Sequence, residues 1–424
     1  MSRPLLLLIC LVGFGGWASR ADAAVTDCNR DIGGIMLPAG FCATVFADDV
    51  GVARHMAVAA DGTVYVALQE PSHGGGIAVL RDTKGDGKAD LIRYAGGDGG
   101  SDVGLHAGYL YFATNTAVLR YPLKPGDPIP TGPAVTVVGG FPSQDEHAAK
   151  TIAFDDRGHL YVNVGAPSNA CQQDDRVRGS PGIRPCPLLA EHGGIWLFDA
   201  DKIGQKFPSD GIRFATGIRN AVAITWTPSP AGLYALQMGR DQLSDNWPNL
   251  YTDAQNAELP AEEFLAVSPG SDYGWPYCYY DGLQRKKVLA PEYGGDGKQV
   301  GDCAKFAQPI AVFPGHWAPE SVLFYAGHGF PAHYQGGAFV SFHGSWNRAP
   351  LPQAGYKVVF QPFRDGQPAG PYEVFADGFA GAKDLRSPDS ARYRPMGLAE
   401  GPDGALYIGD TQRGRIWRIT YKQP

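Results

Sequence analysis

The chain has 424 residues and a formal net charge of −7, and 44% of its residues are hydrophobic against 19% charged. This composition supports a large buried core, and the negative charge disfavours nucleic acid or an anionic membrane as a partner. The 57 glycines and 34 prolines predict many turns, and long helical periodicity is nearly absent.

The first segment, MSRPLLLLICLVGFGGWASRADA, has an early arginine, an apolar stretch and small residues at its end. This pattern is typical of a secretory signal peptide cleaved after Ala23. The apolar stretch is too short and too glycine-rich for a membrane anchor, and no later segment is long enough to span a bilayer. Export, to the periplasm or outside the cell, is therefore predicted, with residues 24–424 forming a single domain without membrane insertion.

Six cysteines remain after this segment, and an even number in an exported protein favours disulfides. A zinc site is disfavoured because the sequence contains no CxxC pair. The pairs that close the shortest loops are Cys28 with Cys42, Cys171 with Cys186, and Cys278 with Cys303.

One phrase recurs six times along the chain: an apolar run, a turn containing glycine, and a second run rich in β-branched and aromatic residues. The copies begin at Arg54, Asp102, Lys150, Arg219, Glu320 and Arg394. Their turns suit tight hairpins, and a third strand often follows. The repeats predict an all-β, six-bladed β-propeller with long inserted loops. A β-sandwich is the alternative, but it would not explain a six-fold repeat.

Two inserts, at about residues 166–193 and 240–310, are longer than plain connections and are expected to build a functional face. In a propeller, the residues just before the first strand of each blade meet at one mouth of the central channel. Here that set contains Arg54, His55, Asp102, His147, Lys150, Arg219, Asn220, Glu320, Arg392 and Arg394. Any one of these cations could cap a strand or pair with an acid, but the whole set favours a site for an anionic ligand.

Four segments carry a resemblance to a known family. They are GIRNAVAI from Gly217, SDYGWPYC from Ser271, HGSWNRAPLPQAGYKVV from His343 and RYRPMGLAEGPDGALYIGD from Arg392. In this order they resemble the soluble sugar dehydrogenases that use pyrroloquinoline quinone (PQQ), most nearly the sorbosone and pyranose dehydrogenases. The resemblance implies a six-bladed propeller that holds PQQ and Ca²⁺ over the channel mouth. It also implies oxidation of a sugar or related aldehyde, with the electrons passing to an acceptor that the sequence does not identify.

The resemblance further implies roles for individual residues. His147 matches the base that takes the proton from the substrate hydroxyl, and Arg219 matches the arginine beside the reactive quinone carbonyl. The implied cofactor contacts are Gln69, Arg219, Asn220, His343, Arg348, Arg392 and Arg394. The implied calcium ligands are the backbone carbonyls of Gly239 and Arg240.

Two positions depart from the glucose-oxidising members of that family. Ala166 stands where those enzymes carry an aspartate beside the base, so the orienting carboxylate is missing or is replaced by Asp145 or Glu146. His343 stands where they carry a lysine that binds the cofactor. Both departures leave the substrate open.

The alternative function is that of a calcium-dependent lactonase on a six-bladed propeller. That class needs acidic and amide side chains on an axial metal, which a mostly cationic mouth disfavours. The segment DTKGDGKAD at 82–90 resembles a calcium loop, but Lys84 and Arg93 occupy ligand positions, so an Asp-Gly turn is favoured. Trp317 and Trp346 could stack on a sugar ring or belong to the core.

Overall fold

The computed structural model describes residues 33–422, and nearly all of its regular structure is β-strand. Six sheets each contain four consecutive antiparallel strands, and the first strands of neighbouring sheets contact one another in a closed ring. This is a six-bladed β-propeller, which confirms the architecture predicted from the repeats and excludes the β-sandwich.

The first three blades follow one another along the chain, and their strands are given from the channel outward. Blade 1 consists of Ala53–Val58, Val64–Ser72, Gly75–Arg81 and Leu91–Ala95. Blade 2 consists of Asp102–His106, Tyr109–Ala113, Ala117–Pro122 and Val135–Gly139, extended by the short parallel strand Gln205–Lys206. Blade 3 consists of Ile152–Phe154, His159–Val164, Gly194–Asp199 and Ile212–Thr216, extended by Ser271–Asp272.

The last three blades complete the ring. Blade 4 consists of Ala223–Pro228, Ala231–Gln237, Glu262–Val267 and Ala311–Phe313. Blade 5 consists of Pro319–Phe324, Ala338–Phe342, Lys357–Gln361 and Glu373–Ala376. Blade 6 consists of Pro395–Glu400, Leu406–Asp410, Ile416–Tyr421 and the N-terminal strand Phe41–Ala47. One strand from the start of the chain therefore closes the blade formed by its end.

The inner hairpins form because their turn residues suit a reversal of the chain. In blade 1, Gly62 has a φ of +82°, which a glycine adopts without strain, and the carboxylate of Asp61 accepts a hydrogen bond from the backbone of Thr63 at 3.0 Å. Blade 6 repeats this turn with Asp403 and Gly404. The Asp-Gly pairs in the repeats thus have the role expected of them.

The two inserts of the sequence form much of the structure outside the blades. Residues 166–193 form a loop closed by the disulfide Cys171–Cys186, with a 3-10 turn at Pro187–Ala190. Residues 240–310 contain two short helices, α1 (Leu243–Asn246) and α2 (Asp253–Glu258), which are followed by a hairpin. The strands of that hairpin are Cys278–Asp281 and Lys286–Leu289, and the disulfide Cys278–Cys303 ties it to the turn at Gly301–Lys305.

The remaining short elements lie in connections between blades and strands. They are the 3-10 turns Pro291–Tyr293, Ala332–Tyr334 and Pro388–Ser390, and the paired segments Phe363–Arg364 and Gln367–Pro368.

Two of the three predicted disulfides are confirmed by these loops. The third involves Cys28, and that cysteine and the predicted signal peptide both lie outside the described residues. Within residues 33–422, no helix combines the length and hydropathy needed to cross a membrane.

The acidic segment 82–90 is a self-contained turn. The carboxylate of Asp82 accepts hydrogen bonds from the backbone amides of Lys84, Gly85 and Gly87, and Asp90 is bonded to Thr83. These carboxylates are occupied by their own loop, in agreement with the Asp-Gly turn favoured from the sequence.

Candidate active site

A cavity of about 800 Å³ lies where the two inserts meet the loops that lead into the inner strands. Its walls include residues from blades 3 to 6, from the disulfide loop and from the segment 343–347. Of the residues predicted to act in catalysis or to hold the cofactor or calcium, five line it: His147, Arg219, Gly239, His343 and Arg394. The long inserts therefore do build the face that carries the cavity.

His147 presents a nitrogen that is free to accept a proton. Its Nδ1 lies 2.5 Å from the backbone oxygen of Ala166, and because a carbonyl only accepts, Nδ1 must carry the hydrogen. The lone pair is then on Nε2. Burial, together with the nearby cation of Arg219, lowers the pKa of His147 to about 4, so the ring is neutral at pH 7.

This contact shows what stands in place of the missing carboxylate. The backbone of Ala166, rather than the side chain of Asp145 or Glu146, orients the imidazole. Glu146 is engaged elsewhere, since its two carboxylate oxygens accept from Arg176 at 2.9 and 3.1 Å. A main-chain carbonyl fixes the tautomer of a histidine as a carboxylate would, but it adds no charge.

Arg219 is held by three acceptors just before the inner strand of blade 4. Its Nη2 donates to Asp241 at 2.7 Å, its Nη1 to the backbone oxygen of Gly239 at 2.9 Å, and its Nε to that of Asn169 at 3.2 Å. Burial acts to raise the pKa of Asp241, but Arg219 and Arg176 outweigh it and hold that pKa at about 2. Asp241 is therefore a fixed anion between two arginines.

The mouth is less cationic than the sequence predicts, because carboxylates neutralise most of its arginines. Arg54 lies 3.4 Å from Glu320, and both Arg176 and Arg219 lie within 3.1 Å of Asp241. The sequence pattern identified Arg54, Arg219 and Glu320 as residues of the mouth, but it could not identify Asp241, which comes from an insert.

Arg394 differs from those arginines in its partners. Its Nε donates to the backbone oxygen of His343 at 3.2 Å and its Nη2 to that of Gly344 at 2.6 Å. Among the described residues no carboxylate lies within ion-pair distance of this guanidinium. His343 itself bonds to Thr411 through Nε2 at 2.7 Å, and burial beside Arg394 holds its pKa well below the usual range. Arg394 thus brings to the cavity a guanidinium without a direct carboxylate partner, although Glu320 and Asp389 line the same cavity.

Other residues of the predicted mouth hold the blades together. The ring nitrogens of His55 lie 3.0 Å from the backbone oxygen of Ser101 and 2.7 Å from that of Glu320, which joins three blades. Asp102 accepts from the backbone of Ile152 in the next blade at 2.8 Å. For these residues the interpretation as strand-capping groups fits the structure.

Lys150 and Asn220 are likewise buried and do not line the cavity. The ammonium of Lys150 donates to the backbone oxygen of Ala148 at 2.6 Å, and the side-chain oxygen of Asn220 accepts from Asn163 at 3.2 Å. The structure places Asn220 behind Arg219 rather than against the cavity, where the resemblance implied a cofactor contact.

Three more predicted site residues are not brought to the cavity. Gln69 is exposed on blade 1. Arg240 is buried in an ion pair with Glu292, and Arg348 pairs with Glu258 at 2.7 Å. Both guanidinium groups anchor the 240–310 insert, so that of Arg348 is committed to structure. The prediction for Arg240 concerned its backbone carbonyl as a calcium ligand, which the side-chain ion pair does not test, and it stays a prediction.

Arg392 lines a second cavity, although the sequence predicted that it would face the same ligand as Arg394. Tyr393, between them in the sequence, points into the blade and packs edge-on to Trp417. The two tryptophans considered for sugar stacking lie in different environments. Trp346 lines the main cavity with 49% of its surface exposed, whereas Trp317 packs against Phe342 in the core.

The oxygen atoms around Gly239 are relevant to the predicted calcium ion. The carboxyl group of Glu262, which also lines the cavity, accepts from the backbone nitrogens of Gly239 at 2.9 Å and of Ala318 at 3.0 Å. Burial raises the pKa of Glu262 to about 8. Among residues 33–422 no group of three or more acidic, histidine or cysteine side chains is arranged to hold a metal, so a calcium site here would depend on backbone oxygens.

Sequence reasoning missed Arg176, Asp241 and Glu262, all of which line the cavity. Asp241 directly follows the Gly239–Arg240 pair that the resemblance implied as calcium ligands. Its position next to that pair could have identified it as a site residue. Arg176 carried no signal, because only the disulfide loop brings it beside Glu146.

The fold and this cavity define a propeller with a polar, ligand-sized site over its central channel. The sequence matches the TrAA12-like family over residues 35–422, so the chain belongs to this family.

Curated relatives resemble the chain at low identity. A PQQ-dependent sugar dehydrogenase of Hypocrea jecorina is 22% identical over 304 residues, which are 66% of this chain and 64% of the relative. A PQQ-dependent pyranose dehydrogenase of Coprinopsis cinerea is 25% identical over 285 residues, which are 57% of this chain and 36% of the relative. The match to an uncharacterized protein of Borreliella burgdorferi, 29% identical, spans 49% of this chain and 48% of that protein. The chain therefore spans between about a third and two thirds of these relatives.

Solved structures share the fold. The holo form of the pyranose dehydrogenase PQQ domain from Coprinopsis cinerea has a TM-score of 0.72 at 19% identity and covers 91% of this chain and 97% of that domain. The calcium structure of the Trichoderma reesei family AA12 enzyme has a TM-score of 0.72 at 19% identity, and the match covers 92% of this chain and 97% of that enzyme.

Proposed function

We propose that this protein oxidises a sugar or a related aldehyde at its anomeric carbon, with PQQ as its cofactor and Ca²⁺ bound beside it. The observation that supports this most directly is that His147, Arg219 and Arg394 line one cavity, and that His147 keeps its proton-accepting nitrogen free. The relatives and fold neighbours whose names include the quinone support the choice of cofactor.

The cavity suits the quinone in size and in chemistry. Its volume of about 800 Å³ lies within the range of small-molecule sites. PQQ carries three carboxylates and an ortho-quinone, and Arg394 offers a guanidinium that has no direct carboxylate partner among the described residues. When bound, the quinone supplies a two-electron acceptor for the hydride that leaves the anomeric carbon.

The protein's own groups supply positioning and proton transfer. His147 Nε2 accepts the proton of the anomeric hydroxyl, a role worth about 10²–10⁴ in rate. Arg219 has five N–H groups, of which three are used by Gly239, Asn169 and Asp241, so two remain for a ligand oxygen. These groups stabilise negative charge that develops in the cavity during the reaction.

Calcium enters the proposal through backbone oxygens. The carbonyl of Gly239 accepts one hydrogen bond from Arg219 and keeps a second lone pair, and the carboxyl of Glu262 lies beside it. Hard oxygen ligands of this kind are those that Ca²⁺ prefers. Trp346, half-exposed at the same cavity, is proposed as a platform for the C–H face of a sugar ring.

The experiment is reconstitution of the apo-protein. PQQ with Ca²⁺ is expected to produce dye-linked dehydrogenase activity on a panel of aldoses, disaccharides and 2-keto aldehydes, and NAD or FAD is not. The His147→Ala variant should lose at least about 10² in kcat while binding the quinone within severalfold of wild type. Absence of turnover on the whole panel, together with absence of quinone binding in calorimetry, would contradict the proposal.

The lactonase alternative gains no support from the cavity. Two carboxylates that could hold an axial metal are occupied, Asp241 by two arginines and Glu320 by Arg54. Calcium-dependent lactone hydrolysis in the absence of quinone would revive it.

A further inference from the structure

A second, smaller cavity lies beside the proposed active site. It has a volume of about 370 Å³ and is lined by Arg392, Arg413 and Gln412, with Asp389 on the boundary that it shares with the main cavity. Ala380, Gly381, Ala382 and Ala391 line much of the rest, so small side chains leave the space open.

The two arginines of this cavity are not committed to other groups. Within residues 33–422, neither guanidinium donates a hydrogen bond to a protein acceptor or lies within ion-pair distance of a carboxylate. The arginines of the main cavity differ, because Arg176, Arg219 and Arg394 all donate to protein oxygens. Arg392 and Arg413 therefore keep their donors available.

Both arginines are exposed, and the backbone around Arg392 leaves room for its side chain. A Cβ atom on Gly381 would lie 2.9 Å from the Cβ of Arg392 and 3.2 Å from its Nε, and one on Gly34 would lie 3.2 Å from its Nη1. The two glycines thus leave the room that this side chain occupies. Arg413 lies over the ring of Tyr393, 5.7 Å from its centroid.

The geometry points to this cavity as a subsite for the carboxylate of an acidic saccharide whose reducing end occupies the main cavity. Two arginines against Asp389 leave one net positive charge, which suits a single carboxylate better than a dianion. Because Asp389 borders both cavities, one ligand can extend from the first to the second. This inference rests on the proposed function, and it identifies the class of substrate.

The test compares cellobiose with cellobiouronate, which differ only in the carboxylate on the distal sugar. For the holoenzyme, kcat/KM is expected to be at least fivefold higher with cellobiouronate, and this preference should shrink as NaCl rises. Arg413→Gln should abolish the preference for cellobiouronate and leave kcat/KM for cellobiose unchanged. Arg392→Gln should also lower the preference for cellobiouronate. Lys383→Gln is the matched control, because Lys383 lies on the same loop but outside the cavity lining.

Several outcomes would overturn the subsite. One is a preference for cellobiouronate that is equal in wild type and Arg413→Gln. Another is that Lys383→Gln loses this preference as much as Arg413→Gln does, which would indicate general electrostatic attraction of the acid to the cavity rim. A third is that Arg392→Gln and Arg413→Gln weaken PQQ binding, which would assign the cavity to a carboxylate of the quinone. If no sugar is oxidised at all, calorimetry of cellobiouronate and cellobiose with the same variants still decides the matter. Tighter binding of the acid that depends on Arg413 supports the subsite even then, and equal binding removes it.

Discussion

At the scale of single residues, the cavity depends on partners that lie far apart in the chain. The sequence identified His147, Arg219 and Arg394 by their places before inner strands, and all three line the cavity. It could not show that the backbone of Ala166 orients His147, because a carbonyl carries no residue-type signal. It also could not show that Asp241 neutralises Arg219, since that pairing depends on how an insert folds.

The depressed pKa of His147 predicts an unusual pH profile. The proposed base acts in its neutral form, and a His147 pKa of about 4 means that this form persists well below the ordinary imidazole pKa of about 6.5. In the reconstituted enzyme, kcat/KM should therefore stay level from pH 7.5 to about 5 and fall as pH drops through about 4. Near-UV circular dichroism at each pH would separate loss of the base from loss of the fold. A fall centred near pH 6.5 would show that the ring is not desolvated as described.

Arg394 and Arg392 provide a comparison of two charges two positions apart. The resemblance implies that both contact the quinone, whereas the structure places only Arg394 in the main cavity. Arg394→Met should weaken PQQ binding at least tenfold, because charge-assisted hydrogen bonds are worth about 1.5–3 kcal/mol. Arg392→Met should change it less than threefold. Calorimetry with the apo-protein measures PQQ affinity for both variants. Equal losses of affinity would support the prediction from the family resemblance that both arginines contact the quinone.

At the scale of elements, the inner hairpins were predictable and the outer strands were not. The repeated phrase has two apolar runs joined by a glycine-containing turn, which are local signals. Outer strands such as Leu91–Ala95 are half-exposed and lack that pattern. The third strand of blade 4, Glu262–Val267, was missed because a 24-residue gap containing two helices separates it from Gln237.

The hairpin of the 240–310 insert is anchored to blade 4 by one buried ion pair. Lys287 Nζ lies 2.9 Å from Glu263 and donates to the backbone oxygen of Tyr273 at 2.5 Å, and Gln237 donates to the same carboxylate. Lys287→Met leaves that carboxylate buried and unpaired, so we expect a destabilisation of about 3–5 kcal/mol.

Urea unfolding of wild type and Lys287→Met would measure this loss. The control is Lys305→Met, which removes an exposed ion pair with Asp302 and should have little effect. Adding Glu263→Gln to Lys287→Met should restore part of the stability by removing the buried charge. If the two lysine variants unfold at the same urea concentration, the buried pair does not anchor the hairpin.

At the scale of the whole molecule, six blades were countable from the sequence but their closure was not. The strand Phe41–Ala47 pairs antiparallel with Ile416–Tyr421, so the two ends of the described chain share blade 6. No local pattern predicts a partner at the other end of a chain. The ring also explains how residues from blades 3 to 6 meet at one cavity, because the inner strands of neighbouring blades are in contact all around.

Phe41 is the residue that joins this closure to the neighbouring blade. It is 8% exposed, and its ring lies edge-on to Phe330, Tyr334 and Phe375 with centroids 4.8, 5.3 and 5.0 Å away. Phe41→Ala should cost about 3–5 kcal/mol, because it removes a large buried side chain and leaves a cavity between blades 5 and 6. Thr44→Ala, on the same strand but only partly buried, should cost much less. The decisive measurement is hydrogen exchange of the amides in Ile416–Tyr421, which should become faster in Phe41→Ala than in Thr44→Ala while blade 2 stays protected. Uniform loss of protection across all six blades would instead show that the ring unfolds as one unit and that blade 6 has no separate closing step.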